Sequence, residues 1–485
     1  MKQFRKEWEK ISEEPVHLSP PGEFATAIRE VRPAVLLESA RTYGTPQYIL
    51  DLDRLKERAQ LFSRTFSQYL PHSDFFYAFK CNDLPLLVNT LKEAGFQADV
   101  AGIFELQLAL KLGFERIVFN GPGKSKEELN CALKEKNRVI INIDNMEELL
   151  LLEKLAARRK PGQKLGVGFR LNSQLTANPG KDWWKFGFPL DQLKNAVNRV
   201  KESPHLEWTG LHFHSSWNKT PGKYIENIKK IGDFLGRNFP GTQLRKLSFF
   251  DIGGGFYPEN QATLHKGEDK GILLEILADR CGNREGLYKA FDFDPYNFGI
   301  TPVEPLETFA VEIARCLRQS ILPFNPEMSI YFEPGRFIVT PSTSILLQVT
   351  AVKQNCVIVD GGINMLGDYK FCEYAFAPVI NLTRPSTRWR RQVIFGPLCD
   401  PGDLWGYSYY GEDLRQGDIL AVLHQGAYTF STAWRFIKPI PPYIAFSGSG
   451  THFIIAREKE KFKDRYAGCR MGTPPPSTPG RSKSY

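Results

Sequence analysis

The sequence predicts an α/β protein: a (β/α)8, TIM-like barrel followed by a C-terminal, mostly antiparallel β-domain. Three observations carry this. Short apolar runs bounded by turn residues alternate with helical patterns through the first two thirds of the chain, as in a parallel sheet covered on both faces. The βα unit repeats often enough to favour a closed barrel over an open sheet. After Glu333 strand-like runs continue, but long helical patterns stop and Gly and Pro punctuate.

The elements follow in order. Residues 1–35 are polar and proline-punctuated, an N-terminal extension. A strand within 36–52, beginning at Thr45-Pro46-Gln47-Tyr48-Ile49-Leu50, is expected to join the β-domain. The barrel is expected over 53–337. Its apolar runs are Phe75–Phe79, Arg116–Asn120, Val139–Ile143, Leu165–Arg170, Thr209–His214, Lys246–Ile252 and Met328–Glu333, with helical patterns such as Leu84–Ala94 and Met146–Arg159. Residues 258–298 resemble an insertion. The β-domain, over 338–455, contains the runs Ser344–Val352, Cys356–Asp360, Gln392–Phe395 and Asp418–Leu423.

Composition narrows the function. With 485 residues, 42% hydrophobic and 24% charged, the chain is neither fibrous nor wholly disordered. No apolar stretch reaches the ~18 residues a membrane helix needs, and the charged start has no apolar signal segment. The formal charge is +9, but Arg457–Tyr485 alone carries eight Lys/Arg against three Asp/Glu. The excess therefore reflects a basic Pro/Ser-rich tail over 456–485, expected to be disordered, rather than a nucleic-acid surface. Eight cysteines without a CxxC pair fit reduced thiols in the cytoplasm.

The chemistry concentrates at strand ends, where the βα loops of a barrel form its active face. Lys80 follows Tyr77-Ala78-Phe79; a buried lysine there shifts its pKa down and can form a Schiff base, whereas an exposed one is a solvated cap. Gly253-Gly254-Gly255 after Phe250-Asp251-Ile252 can make an anion nest or a plain tight turn. Glu333-Pro334-Gly335-Arg336 offers a carboxylate or an internal ion pair. His212-Phe213-His214 puts two imidazoles on one strand face; with no third ligand nearby in sequence, stacking or simple core packing suits them better than a metal. In the β-domain, Cys399-Asp400 can be a proton donor with its acid or an inert turn, and Gly426-Ala427-Tyr428-Thr429 is weak alone.

Taken together, the order YAFKCN, ADVAG, HFH, DIGGGF, EPGR, GPLCDPGD, GAYT, over residues 77 to 429, resembles the fold type III pyridoxal-phosphate decarboxylases. These include the diaminopimelate and ornithine decarboxylases and share their barrel with alanine racemase. The resemblance covers roughly residues 40 to 455. It implies pyridoxal 5'-phosphate as cofactor, a small amino-acid substrate and a homodimer with shared active sites. Position by position, Lys80 matches the lysine that holds the cofactor. Asp99 is the acid near it, Arg170 a cofactor-side arginine and His214 the stacked imidazole. Gly253, Gly254 and Gly255, with Gly335 and Arg336, match the phosphate loop. Glu333 matches the carboxylate facing the pyridine nitrogen, where racemases place an arginine, and Tyr428 a phosphate-side tyrosine. Cys399, from the partner subunit, matches the proton donor to Cα, with Asp400 beside the substrate.

Two departures matter. The family's His-x-Gly-Ser reads His214-Ser215-Ser216-Trp217, so the phosphate-binding serine position holds a tryptophan unless a neighbouring serine substitutes. The distal-group positions, Tyr369, Glu373 and Tyr374, keep neither the Arg/Tyr set of diaminopimelate decarboxylases nor the Asp of ornithine decarboxylases. The implied activity is decarboxylation of a diamino acid, diaminopimelate first, with Glu373 and Tyr374 at the substrate's far end. The alternatives are a decarboxylase of a siderophore or polyamine intermediate, a racemase, and a non-catalytic regulatory homologue. Glu333 and Cys399 speak against the racemase, and Lys80 against the regulatory homologue.

Overall fold

The computed structural model describes residues 31–158, 164–172, 185–258, 262–263, 277, 282–290, 299–300, 303–354, 356–367, 377–448, 452–469 and 472. Strand β1 (Gln47–Asp51) follows helix α1 (Pro33–Tyr43) and leads into α2 (Leu52–Tyr69). Asp51 ends β1 and caps α2, its carboxylate accepting from the N–H groups of Asp53 and Arg54 at 3.0 Å, as an N-cap acid should. Eight parallel strands then close a barrel. They are β2 (Ser73–Ala78), β3 (Gln97–Val100), β4 (Ile117–Phe119), β5 (Val139–Ile143), β6 (Leu165–Leu171), β7 (Leu206–Phe213), β8 (Phe249–Asp251) and β9 (Ser329–Phe332), with β9 pairing both β8 and β2. Between them run α3 (Pro85–Glu93), α4 (Ile103–Lys111), α5 (Lys126–Lys134), α6 (Met146–Ala156), α7 (Leu193–Glu202), α8 (Gly222–Asn238) and α9 (Leu306–Ser320). Seven barrel strands coincide with apolar runs of the sequence. The eighth, β3, escaped because its four residues begin with Gln97 and carry Asp99.

The barrel's lower interior is apolar. Phe76, Val118, Phe249 and Tyr331 form a buried cluster with Ile140 packed on it, and the rings of Phe249 and Tyr331 stack at 4.8 Å. Phe249 fits because β7 offers no side chain at Gly210, where a Cβ would fall 2.4 Å from the phenyl ring. Side chains alternate along a strand with period two. The next inward positions above this plug are therefore the strand-end polar residues.

The β-domain is a nine-stranded, mostly antiparallel sheet. Its strands are β1 together with β10 (Thr343–Val352), β11 (Cys356–Val359), β12 (Val379–Asn381), β13 (Trp389–Phe395), β14 (Leu404–Tyr410), β15 (Ile419–Val422), β16 (Tyr443–Ser447) and β17 (His452–Arg457). In space they run β11-β13-β14-β12-β15-β10-β1-β16-β17, and β11 also pairs with β10, curling the sheet back on itself. β1 pairs antiparallel with β10 and parallel with β16.

Two expected boundaries shift. The first helix among the described residues begins at Pro33, inside the polar extension. The tail expected to start at 456 begins inside β17, and ordered chain continues to Cys469. There Glu460, buried, accepts from Ile440 N–H at 3.1 Å and pairs with Arg435 and Arg465 at 3.3 and 3.4 Å. Local charge pairing ordered what bulk composition marked as solvated. In the 258–298 region, the described pieces are Ala262–Thr263, paired with Gly299–Ile300, and a short helix, Arg284–Ala290.

The β-domain is stitched to the barrel at one point above all. Asn82, fully buried, donates to Gly426 C=O at 3.0 Å and to Tyr443 Oη at 3.1 Å, while its own Oδ1 accepts from Leu84 N–H. Ser431 Oγ donates to the carbonyls of Lys80 and Cys81, and Tyr428 N–H to Cys81 C=O. Replacing Asn82 by Leu strands these buried partners. Urea unfolding of Asn82→Leu should show a loss of roughly 2–4 kcal/mol, and an unchanged midpoint would disprove the stitch.

Candidate active site

The strand ends converge on a cleft of about 180 Å³. Its walls include Lys80, Asn120, Arg170, His214, Glu333 and Tyr428, with Phe186, His212 and Ser216. Lys80 stands in the turn after β2, and its Nζ donates to Asp99 Oδ2 at 2.7 Å. Burial opposes its charge, but the Asp99 and Glu333 carboxylates outweigh burial and raise its pKa above the ordinary lysine value. This corrects the downward shift expected of a buried strand-end lysine: the fold supplies counter-charges that the local sequence does not display.

Asp99 Oδ1 accepts from Asn120 Nδ2 at 2.7 Å, and the same nitrogen donates to Glu333 Oε1 at 2.5 Å. Glu333 is 1% exposed. Its Oε2 lies 3.4 Å from His212 Nε2 and 3.9 Å from His214 Nδ1 and has no hydrogen-bond partner among the described residues. Burial works against its charge, yet His212 and Lys80 hold its pKa well below the usual range. Asp251, at the end of β8, is fully buried. Burial first, and then Glu333's charge, push its pKa well up. The sequence showed no third ligand near His212 and His214, whereas the fold brings Glu333 within 4.8 Å of both.

His214 is held at both nitrogens. Gly254 N–H donates to Nδ1 at 3.2 Å, so Nε2 carries the proton and donates a hydrogen bond to Ser216 Oγ, 3.1 Å away. Burial pushes its pKa down to about 4. Ser216 thus walls the cleft, while Trp217 takes a left-handed φ of 52° and is 39% exposed. The glycine run is tight: at Gly255, with φ 92°, a Cβ would fall 1.8 Å from Ser215 O. Gly253 N–H turns to Asp251 Oδ1 at 2.8 Å. Arg170 is buried, 3.9 Å from Asp144, with its guanidinium 4.4 Å over the Phe186 ring. Arg336 lies 5.0 Å over the Tyr428 ring, and a Cβ on Gly335 would strike Cys81 Sγ at 2.2 Å.

Beneath the Gly121–Pro122 wall, Lys124 is buried against Glu148 at 2.8 Å and also donates to the carbonyls of Gly121 and Asn142. It fixes that loop. Cys399 is exposed and Asp400 half-buried on the β-domain; neither walls the cleft of its own chain. Tyr369, Glu373 and Tyr374 lie outside the described residues.

Residues 52–286 match the family model of the pyridoxal-dependent decarboxylase, pyridoxal binding domain. The diaminopimelate decarboxylase of Bacillus subtilis is 28% identical over 445 residues, covering 86% of this chain and 90% of that protein. Residues 52–286 thus form a pyridoxal binding domain of that kind, and the chain as a whole resembles the fold type III pyridoxal-phosphate-dependent decarboxylases. The Methanothermobacter thermautotrophicus diaminopimelate decarboxylase is 27% identical over 450 residues, covering 89% and 93%. The crystal structure of Helicobacter pylori diaminopimelate decarboxylase complexed with L-lysine superposes with a TM-score of 0.70, at 26% identity, over 89% of this chain and 98% of that one.

This decarboxylase is accordingly a carboxy-lyase that uses pyridoxal phosphate on an amino acid. The residues present fit that group: a lysine amine at the cleft wall, a buried carboxylate oxygen without a hydrogen-bond partner, and a glycine run too tight for side chains. No helix among the described residues is long and apolar enough to cross a membrane. Sequence reasoning passed over Asn120, Asn142, Asp144 and Asp251. The signal was present, because each stands at the end of a barrel strand, or just beyond it, like the residues that were recognised.

His214 gives a pH test. Folded, it stays neutral down to about 4; unfolded, it takes a proton near 6.5. Between these values the unfolded chain binds more protons, so stability falls as pH falls. In His214→Phe, the denaturation midpoint measured from pH 6.5 to 4 should lose about one proton's slope. His212, also lowered by burial, keeps its own contribution. An unchanged slope would mean that His214 titrates normally.

Proposed function

We propose that this enzyme decarboxylates a diamino acid of the diaminopimelate type, in a homodimer whose partner completes each site. The observation that carries the reading is the convergence of Lys80, His214 and Glu333 on one cleft, with Asp99 paired to Lys80 behind it and Cys399 and Asp400 outside that chain's cleft. The named relatives support the substrate class, and so does the L-lysine in the H. pylori structure. We place the enzyme in the cytosol, which suits the free thiols of Cys81, Cys131, Cys316, Cys356, Cys399 and Cys469.

In this reading Lys80 holds the cofactor covalently and Asp99 orients its amine. Arg170 and Tyr428 border the cofactor, and the Gly253–Gly255 run with Gly335 and Arg336 receives its phosphate. Ser216 stands where Trp217 vacates the family's serine position. His214, neutral and fixed at both nitrogens, offers a flat face for stacking. Glu333, ionised, holds a proton on the pyridine nitrogen. Bound pyridoxal phosphate supplies an electron sink for the bond that releases CO₂. Cys399 of the partner subunit delivers a proton to Cα, and Asp400 lies beside the substrate. Glu373 meets the substrate's distal cation, with Tyr374 next to it.

The purified holoenzyme should absorb near ~420 nm, and borohydride should fix its cofactor on Lys80. CO₂ release measured across L-, D- and meso-diamino acids should single out a preferred substrate. Racemisation without CO₂ release would defeat the reading. Mixed Lys80→Ala and Cys399→Ala subunits should recover about a quarter of wild-type activity, and no recovery despite subunit exchange would put both residues in one chain's site. Glu373→Gln should lower kcat/KM for the diamino substrate by roughly 10- to 1000-fold with cofactor binding intact; equal kinetics would remove Glu373 from substrate recognition.

A further inference from the structure

None of the roles above uses Asn120, yet it stands at the centre of the polar layer. It follows β4 and is 3% exposed. One amide nitrogen joins the two carboxylates of the site, Asp99 Oδ1 at 2.7 Å and Glu333 Oε1 at 2.5 Å. Its Oδ1 accepts from Asn142 Nδ2 at 2.9 Å. A flipped amide would turn an oxygen towards two carboxylate acceptors, so the network sets the orientation. Asn142 fits there because Gly168 has no side chain: a Cβ at that position would fall 1.9 Å from Asn142 Oδ1. The bridging amide is therefore backed by Asn142 of β5.

Two carboxylates that share a buried site cannot readily both ionise, and one of them ordinarily keeps a proton. A proton on Asp99 would break the Lys80 pair. A proton on Glu333 would end its service as an acceptor towards the pyridine nitrogen. A neutral residue donating to both carboxylates removes the conflict without adding charge. We propose that Asn120 is a positioning residue that holds Asp99 and Glu333 together as ionised acceptors and ties the state of one to the state of the other. The inference rests on the assignments of Lys80 and Glu333 made under the proposed function. The other ionisable groups facing the pair are Lys80 and Cys81 after β2, Glu105 on α4, Arg170 on β6, His212 and His214 on and just after β7, and Asp251 on β8.

The test uses the pyridoxal-phosphate holoenzyme and two readouts besides turnover: the cofactor dissociation constant, and the pH midpoint at which the visible spectrum of the bound cofactor changes on acidification. Asn120→Leu fills the same space without a donor. It should weaken cofactor binding by about 10- to 100-fold. It should also move the acid midpoint up by about one pH unit, since both carboxylates lose a donor that favours their ionised forms. Asn120→Ser, which keeps a single hydroxyl donor, should fall between wild type and Leu and provides the measurement if Leu does not fold. An acid midpoint equal to wild type in either folded variant would reduce Asn120 to a space-filler and overturn the proposal. Failure of the underlying assignments would look different: the wild-type protein would itself fail to bind pyridoxal phosphate, or borohydride would not attach it to Lys80.

Discussion

The polar layer at the mouth of the barrel is the constraint on which the rest depends. Asp99, Asp144, Asp251 and Glu333 are buried there, with Lys80 paired to Asp99 and Arg170 near Asp144. Taking charges out of water costs several kcal/mol per ion even after relaxation. The arrangement persists because each group is held by a neighbour: Asp99 by Lys80 and Asn120, Asp251 by Gly253 N–H, Asp144 by Gly187 N–H. The apolar plug one step below, from Phe76 to Tyr331, supplies rigid strands that hold these groups in register.

Much of this was legible in the chain. Apolar runs marked seven of eight barrel strands because buried parallel strands read as continuous hydrophobic stretches. Lys80, Glu333 and the His212–His214 pair stood out because each interrupts such a stretch at its end. What stayed hidden depends on contacts distant in sequence. The charge state of Lys80 is set first by Asp99, which its sequence neighbourhood does not mark as a partner, and then by Glu333, about 250 residues later. Asn120 is unremarkable until β4 is placed between β3 and β5. The ordered chain beyond residue 456 was masked by a tail-like composition, although Glu460 binds it through Arg435 and Arg465.

The departures from the family's pattern are also intelligible in physical terms. With tryptophan at position 217, the turn after β7 adopts a left-handed conformation there and its indole leaves the cleft. Ser216 remains at the wall, where its hydroxyl engages His214. A single hydroxyl thus sits where it can serve both the imidazole and an anion.

The stitch between residues 80–82 and 426–431 carries a consequence for biogenesis. The turn that presents Lys80 accepts hydrogen bonds from Ser431 and Tyr428, and β1 lies in the same sheet as β16. A ribosome adding about 5–20 residues per second needs on the order of 20–70 s to travel from the first of these segments to the second. Throughout that interval the nascent barrel carries a reactive amine on an unfinished turn, with the edges of β1 unpaired. Protection of this half-made species then bears on how much finished enzyme a cell accumulates, alongside the stability of the folded state.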